Sequence, residues 1–224
     1  MNLLLINAGD KNTFAAFSQN GKLDVSYASD FSSGEPSGKQ PDKLIHCVNR
    51  IADSYELSSI EAIVVTIGPG SFTGIRVGLS FAKGLAFGLN KSLIPIDNFR
   101  LTLGRLPAID PEVEYCILIP SKHPEYYFSL LKNGLTLSSG CTFIENLNEI
   151  TQNKPVVVGD FDDETSLKHS YFTYINVKNL RSEADSMREL AIELFNNGDL
   201  SNSSEIEPLY LKDFSFTKND NKRN

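Results

Sequence analysis

Residues 68–74 read Gly-Pro-Gly-Ser-Phe-Thr-Gly, with Arg76 two positions on. Glycines let a chain turn sharply between a strand and a helix. They also leave backbone N–H groups bare at the positive end of that helix, where an anion can sit. Gly68, Gly70 and Ser71 are therefore candidate anion-binding positions, and a tight strand-to-helix turn without ligand is the other reading. Nucleotide motifs fit poorly. A P-loop needs GxxxxGK[ST], but Gly70 to Gly74 is too short and Ile75 stands where Lys is required. A GxGxxG pattern fails at Thr73; only Asp97, at the end of the next apolar run, keeps a dinucleotide site open.

Other chemistries find less support. None of the three histidines, His46, His123 and His169, falls in HxxxH or HExxH, so a zinc protease is not expected. His46 shares a helix face with Arg50 and Asp53 and reads as part of a solvated stripe. Ser71 lacks the GxSxG elbow of a serine nucleophile. The acidic run Asp160 to Glu164 reads as a solvated loop before a cation site. No catalytic residue and no metal ligand is assigned.

The helix behind the glycine loop carries a second signal. Gly74, Gly78, Ala82 and Ala86 recur every four residues and form one ridge of small side chains, while Gly84 and Gly88 thin a neighbouring face. Each interior glycine costs a helix roughly 1 kcal/mol relative to alanine. Close approach of another element would offset that, either the chain's own sheet or a partner. If a partner covers the ridge, Gly78→Leu should block association and leave a folded monomer. Arg76 falls in the expected first turn, where the helix dipole disfavours a cation unless an anion is near, and Lys83 follows on roughly the same face.

These residues need a scaffold. Leu3 to Ile6 is a short buried strand. Asn20-Gly21 joins two alternating segments as a hairpin, and Asn133-Gly134 does so again. A helix starts near Pro41, with Leu44, Ile45, Val48, Ile51, Ala52 and Tyr55 on its apolar face. Strands are expected at 60–67 and 93–96, the latter at an end or edge because of Pro95, and helices at 73–89 and 98–106. The second half repeats the order: strands at 115–119, 126–131, 135–139, 155–158 and 172–177, and helices at 144–151 and 183–196. Residues 30–40 read as a loop. Such a duplicated βββαβαβα pattern is what an α/β, actin-like fold of two lobes needs.

Composition narrows the partners. The 224 residues are 41% hydrophobic, enough for a real core. A net charge of −7 repels a polyphosphate backbone, so any work on RNA is expected to pass through a partner. Cys47, Cys116 and Cys141 form no CxxC pair and read as reduced thiols of a cytoplasmic protein. No basic leader precedes the first strand and no apolar stretch reaches membrane length.

The segment from Ala62 to Ala86, and above all Gly-Pro-Gly-Ser-Phe-Thr-Gly-Ile-Arg-Val-Gly at 68–78, resembles the signature of the TsaB (YeaZ) family. Weaker resemblance covers the opening strand and hairpin, 119–127, and Pro208-Leu-Tyr-Leu-Lys212. It implies an actin-like (ASKHA, ribonuclease H-like) fold, with lobes at 1–107 and 108–218, a C-terminal segment that could return to the first lobe, and a disordered tail at 219–224. It implies a non-catalytic subunit in formation of N6-threonylcarbamoyladenosine at position 37 of tRNAs reading codons that begin with A. The partners would be a catalytic TsaD-type subunit and a TsaE-type ATPase, with a homodimer when alone and tRNA met only indirectly. Carried onto this sequence, the partner face would comprise Gly70, Thr73, Gly74, Arg76, Val77, Gly78, Phe81, Ala82, Lys83 and Leu85, with Ile45 and Val48. No intrinsic cofactor is implied, though an adenine nucleotide could lie at a subunit interface. The alternatives are an independent nucleotide-binding enzyme of the actin/hexokinase class and the M22 glycoprotease label such proteins carry. The chain departs from the family at Asn7-Ala8-Gly9, where Asp-Thr-Ser is usual, and at Gln40, near a usual His. The acidic 159–163 loop would also repel ATP phosphates.

Overall fold

The computed structural model describes residues 1–9, 13–28, 40–122, 124–151, 153–161, 172–198 and 205–211. The expected loop at 30–39, the tail at 219–224, His123, His169, Lys212 and the acidic residues from 162 to 164 lie outside these.

The first sheet starts with β1 (Leu3–Asn7), β2 (Phe14–Gln19) and β3 (Lys22–Ala28). Asn20 (φ 52°) and Gly21 (φ 76°) make the β2–β3 turn, both in the left-handed region that a tight two-residue hairpin requires. Then come α1 (Gln40–Ala52), β4 (Ala62–Gly68), α2 (Phe72–Leu89), β5 (Ser92–Asp97) and α3 (Asn98–Leu103). The strand order is β3-β2-β1-β4-β5, with β1, β4 and β5 parallel. Pro95 lies on an edge strand, where its missing donor does least harm.

The second sheet repeats this plan with β6 (Tyr115–Pro120), β7 (Glu125–Lys132), β8 (Leu135–Phe143), β9 (Val156–Gly159) and β10 (Tyr174–Asn176). Its order, β10-β9-β6-β7-β8, is the first sheet's order with each strand replaced by its counterpart. The chain therefore has the two-lobed actin-like fold. The helix expected at 144–151 is a 3-10 turn, Ile144–Asn146, followed by a single turn, α4 (Leu147–Ile150).

Alternation explains why β1 is buried along its whole length. Leu4 and Ile6 face α1 and α2, while Leu3 and Leu5 face α3 and the last helix, α5 (Glu183–Asn196). A parallel strand covered on both faces reads as a continuous apolar run. Cys116 is plain core: burial pushes its thiol up to about 12, so it stays protonated.

Two late segments reach the first lobe, and only the helix departs from sequence expectation. Ala184, Met187 and Ala191 of α5 pack on the first sheet, although the helix was expected in a second lobe spanning 108–218. The segment 205–211 joins both lobes. Ile206 is buried in the first core, Leu209 N donates to Ile67 O (2.8 Å), and Leu209 and Leu211 pack against the second sheet. Amphipathic pattern gives a helix its inner face but not the sheet beneath it.

Candidate functional site

The glycine loop turns its polar groups inward. Ser71 N donates to Gly9 O (2.7 Å) and Asn98 Nδ2 to Pro69 O (2.7 Å). Ser71 Oγ caps α2 by accepting from Gly74 N (3.3 Å). A Cβ on Gly70 would sit 2.3 Å from Gly9 O, and one on Gly68 2.8 Å from Ile75 Cδ1. Both residues also hold positive φ (158° and 102°), so glycine is required twice over. The loop is packed against the backbone after β1, and the N–H of Ser71 expected for an anion is already spent. The same cap occupies the only hydroxyl considered as a peptidase nucleophile. Asp97 caps α3 by accepting from Arg100 N (2.9 Å) and pairs with the Arg100 side chain, which accounts for it without a ribose. Burial pushes its carboxyl up.

The small-residue ridge is internal. Gly74, Gly78, Ala82 and Ala86 are all buried, and a Cβ on Gly78 would lie 3.0 Å from that of Ala8. Gly74, Gly78 and Ala82 are thus removed from the expected partner face, as is Val48, which is 4% exposed in the core beneath α1. Gly78→Leu would disrupt packing on the first sheet, not merely association. Gly70 is half-buried against Gly9, and Val77, Phe81, Lys83 and Leu85 are half-buried at the flanks of α2. Thr73, Arg76 and Ile45 are exposed.

The outward row is Arg76, Ser80, Gly84 and Gly88, successive i, i+4 positions that are all exposed. A Cβ on Gly84 or Gly88 would meet nothing within 4 Å, and Phe87 beside them is 90% exposed. Phe72, Ser80 and Phe87 were missed by sequence reading. Their signal was present in the thinned face at Gly84 and Gly88. At the other end, the Arg76 guanidinium carbon lies 3.8 Å from the Phe72 ring centre and 5.5 Å from that of Tyr210. Arg76 Nε donates to Tyr210 Oη (2.7 Å).

Between the lobes, the described residues form a charged cluster around Arg105. Arg105, 8% exposed at its side chain, donates through Nη1 to Asp160 Oδ2 (2.8 Å), with Glu183 Oε1 at 3.5 Å. Its Nε donates to Arg181 O (3.0 Å) and its Nη2 to Lys178 O (3.3 Å). Asn7 Nδ2 donates to Glu183 Oε2 (3.2 Å), and Asn7 Oδ1 accepts from Gly9 N and Thr66 Oγ1. The space left is about 20 Å³, room for a water that could serve the buried, unpartnered Oδ1 of Asn98. Small-molecule sites occupy roughly 300–1,000 Å³. Among the described residues no three His, Cys, Asp or Glu side chains gather as a metal site, and no helix is long and apolar enough to cross a membrane. Neither Arg105 nor Glu183 was singled out in sequence, since nothing local marks residues that meet only through tertiary structure.

Residues 41–134 match the family model of TsaD, tRNA N6-adenosine threonylcarbamoyltransferase. The chain is 28% identical over 170 residues to the tRNA threonylcarbamoyladenosine biosynthesis protein TsaB of Haemophilus influenzae, covering 70% of this chain and 72% of that one. It is 33% identical over 105 residues to a tRNA N6-adenosine threonylcarbamoyltransferase of Mesomycoplasma hyopneumoniae, but spans only 31% of that protein. YeaZ from Pseudomonas aeruginosa shares the fold at 18% identity and a TM-score of 0.70, over 94% of this chain and 99% of that one. With the 68–78 segment at the β4–α2 junction and the match to TsaB running through most of both chains, the chain is similar in sequence to a TsaB protein and shares the fold of YeaZ.

Proposed function

We propose that this chain is a non-catalytic subunit supporting transfer of threonylcarbamoyl to N6 of adenosine 37 in tRNAs reading codons that begin with A. It acts by binding a TsaD-type catalytic subunit through the outer face of α1 and α2, with a TsaE-type ATPase completing the assembly and self-association through the same face when the partner is absent. The observation that carries this reading is the row Ser80, Gly84, Gly88 beside Phe87. Gly84 in the helix interior costs roughly 1 kcal/mol relative to alanine, and nothing among the described residues comes near enough to Gly84 or Gly88 to need a glycine there. Close approach of a second helix does need them. The charge cluster of Arg105 with Asp160 and Glu183 supports the non-catalytic part, because it places the chain's own carboxylates between the lobes, where they would repel phosphate groups.

Reconstitution tests it. Unmodified tRNA, threonylcarbamoyl donor, transferase subunit and ATPase should yield modified adenosine only when this chain is added. Equal modification without it sinks the reading. ATP hydrolysis by the chain alone would sink the non-catalytic assignment.

A further inference from the structure

Arg76 is both exposed and held. Two aromatic rings and the Tyr210 hydroxyl fix its guanidinium, although a surface arginine is ordinarily among the most mobile of side chains. The holding groups are neutral. Among the described residues Arg100, Arg105, Arg181 and Arg188 each have a carboxylate within 4.0 Å; Arg76 and Arg50 have none, Arg50 stacking on the single ring of Tyr27 and Arg76 being held by two rings and a hydroxyl. Acids are not scarce in this chain, with 28 Asp and Glu against 21 Lys and Arg. Nε is consumed by Tyr210 while the terminal nitrogens have no acceptor among the described residues, so there the planar fork suited to a carboxylate is left open.

Its place is as telling. Arg76 begins the row that continues through Ser80, Gly84 and Gly88, so it lies at one end of the proposed contact surface. Tyr210 belongs to the C-terminal strap, whose Leu209 and Leu211 pack against the second sheet. Resting on the partner-binding reading above, we infer that Arg76 is the charged anchor of that surface, receiving a side-chain carboxylate of the transferase-type partner. Tyr210, with Phe72, is the positioning residue that presets it. The aromatic clamp removes the ordering cost that a free arginine would meet on binding. It also excludes lysine as an equivalent, because an ammonium has no plane to stack and no fork.

The test uses the full chain and the partner transferase subunit, titrated by calorimetry at two salt concentrations. Arg76→Ala and Arg76→Lys should each weaken binding by roughly 30-fold or more, and Tyr210→Phe, which keeps the ring and loses the hydroxyl, by about threefold to tenfold. Arg76→Ala should also flatten the salt dependence, and thermal melts of all three should match the parent. A single Asp→Arg or Glu→Arg change on the partner should restore binding to Arg76→Glu. Parent-like affinity and salt dependence in the Arg76 variants overturn the anchor. An effect that appears only with added ATP assigns Arg76 to a phosphate and overturns the carboxylate. If the parent chain itself does not bind the transferase, the partner reading falls, and the anchor with it.

Discussion

Arg105 and Arg76 end up in opposite circumstances. Arg105 is buried in the cleft with two carboxylates and two backbone carbonyls around its guanidinium. Arg76 is exposed, stacked on neutral rings, and carries no carboxylate partner among the described residues. The contrast shows that one chain can neutralise an arginine internally in one region and leave another with only neutral neighbours in a second. Among the described residues, the space between the lobes holds the chain's own charges. The outer helix face carries exposed glycines and a cation held by aromatic rings.

Breaking the cleft should have the largest effect. Arg105→Ala leaves Asp160 and Glu183 facing one another without their counter-charge, and should cost about 3–5 kcal/mol in urea denaturation. A cost under about 1 kcal/mol would mean that the pairing is incidental. Next comes Gly78→Leu, which forces a side chain against Ala8. It should lose about 1–3 kcal/mol or more and yield little folded protein. The outward glycines should behave in the opposite sense. Gly84→Ala should raise stability by about 0.5–1 kcal/mol while weakening the partner complex, a separation that calorimetry and thermal melts read independently. Smallest is the effect of Arg76→Ala on the chain alone, within about 0.5 kcal/mol, because an exposed arginine without an ion pair contributes little to folding.

Local pattern carried much of the fold. Both Asn-Gly hairpins, the buried strands and the two long first-lobe helices stand where turn chemistry and periodicity put them. The ridge at Gly74, Gly78, Ala82 and Ala86 was legible as a ridge, but its neighbour at Ser80, Gly84 and Gly88 has the same spacing. Only the position of the sheet decides which row is inside. Exposed glycine and buried glycine are identical in sequence and differ only in what a methyl group would strike. The Arg105 cluster was illegible for a related reason. Its members come from the end of α3, the end of β9 and the start of α5, and no spacing rule links them. At the anion-site positions Gly68, Gly70 and Ser71, sequence could not show that Gly9, distant in the chain, takes the Ser71 N–H.

The strap that carries Ile206 and Tyr210 has a consequence for how the chain is made. The first lobe's core needs Ala184, Met187 and Ala191 of α5 and then Ile206, all synthesised after the entire second sheet. At a ribosomal rate of roughly 5–20 residues per second, the nascent first lobe waits on the order of 5–20 s, with Leu3, Leu5 and Val64 bare on one face. That exposed face is a substrate for chaperones and a hazard for aggregation, and the lobe that begins first at the exit tunnel is the lobe that finishes last.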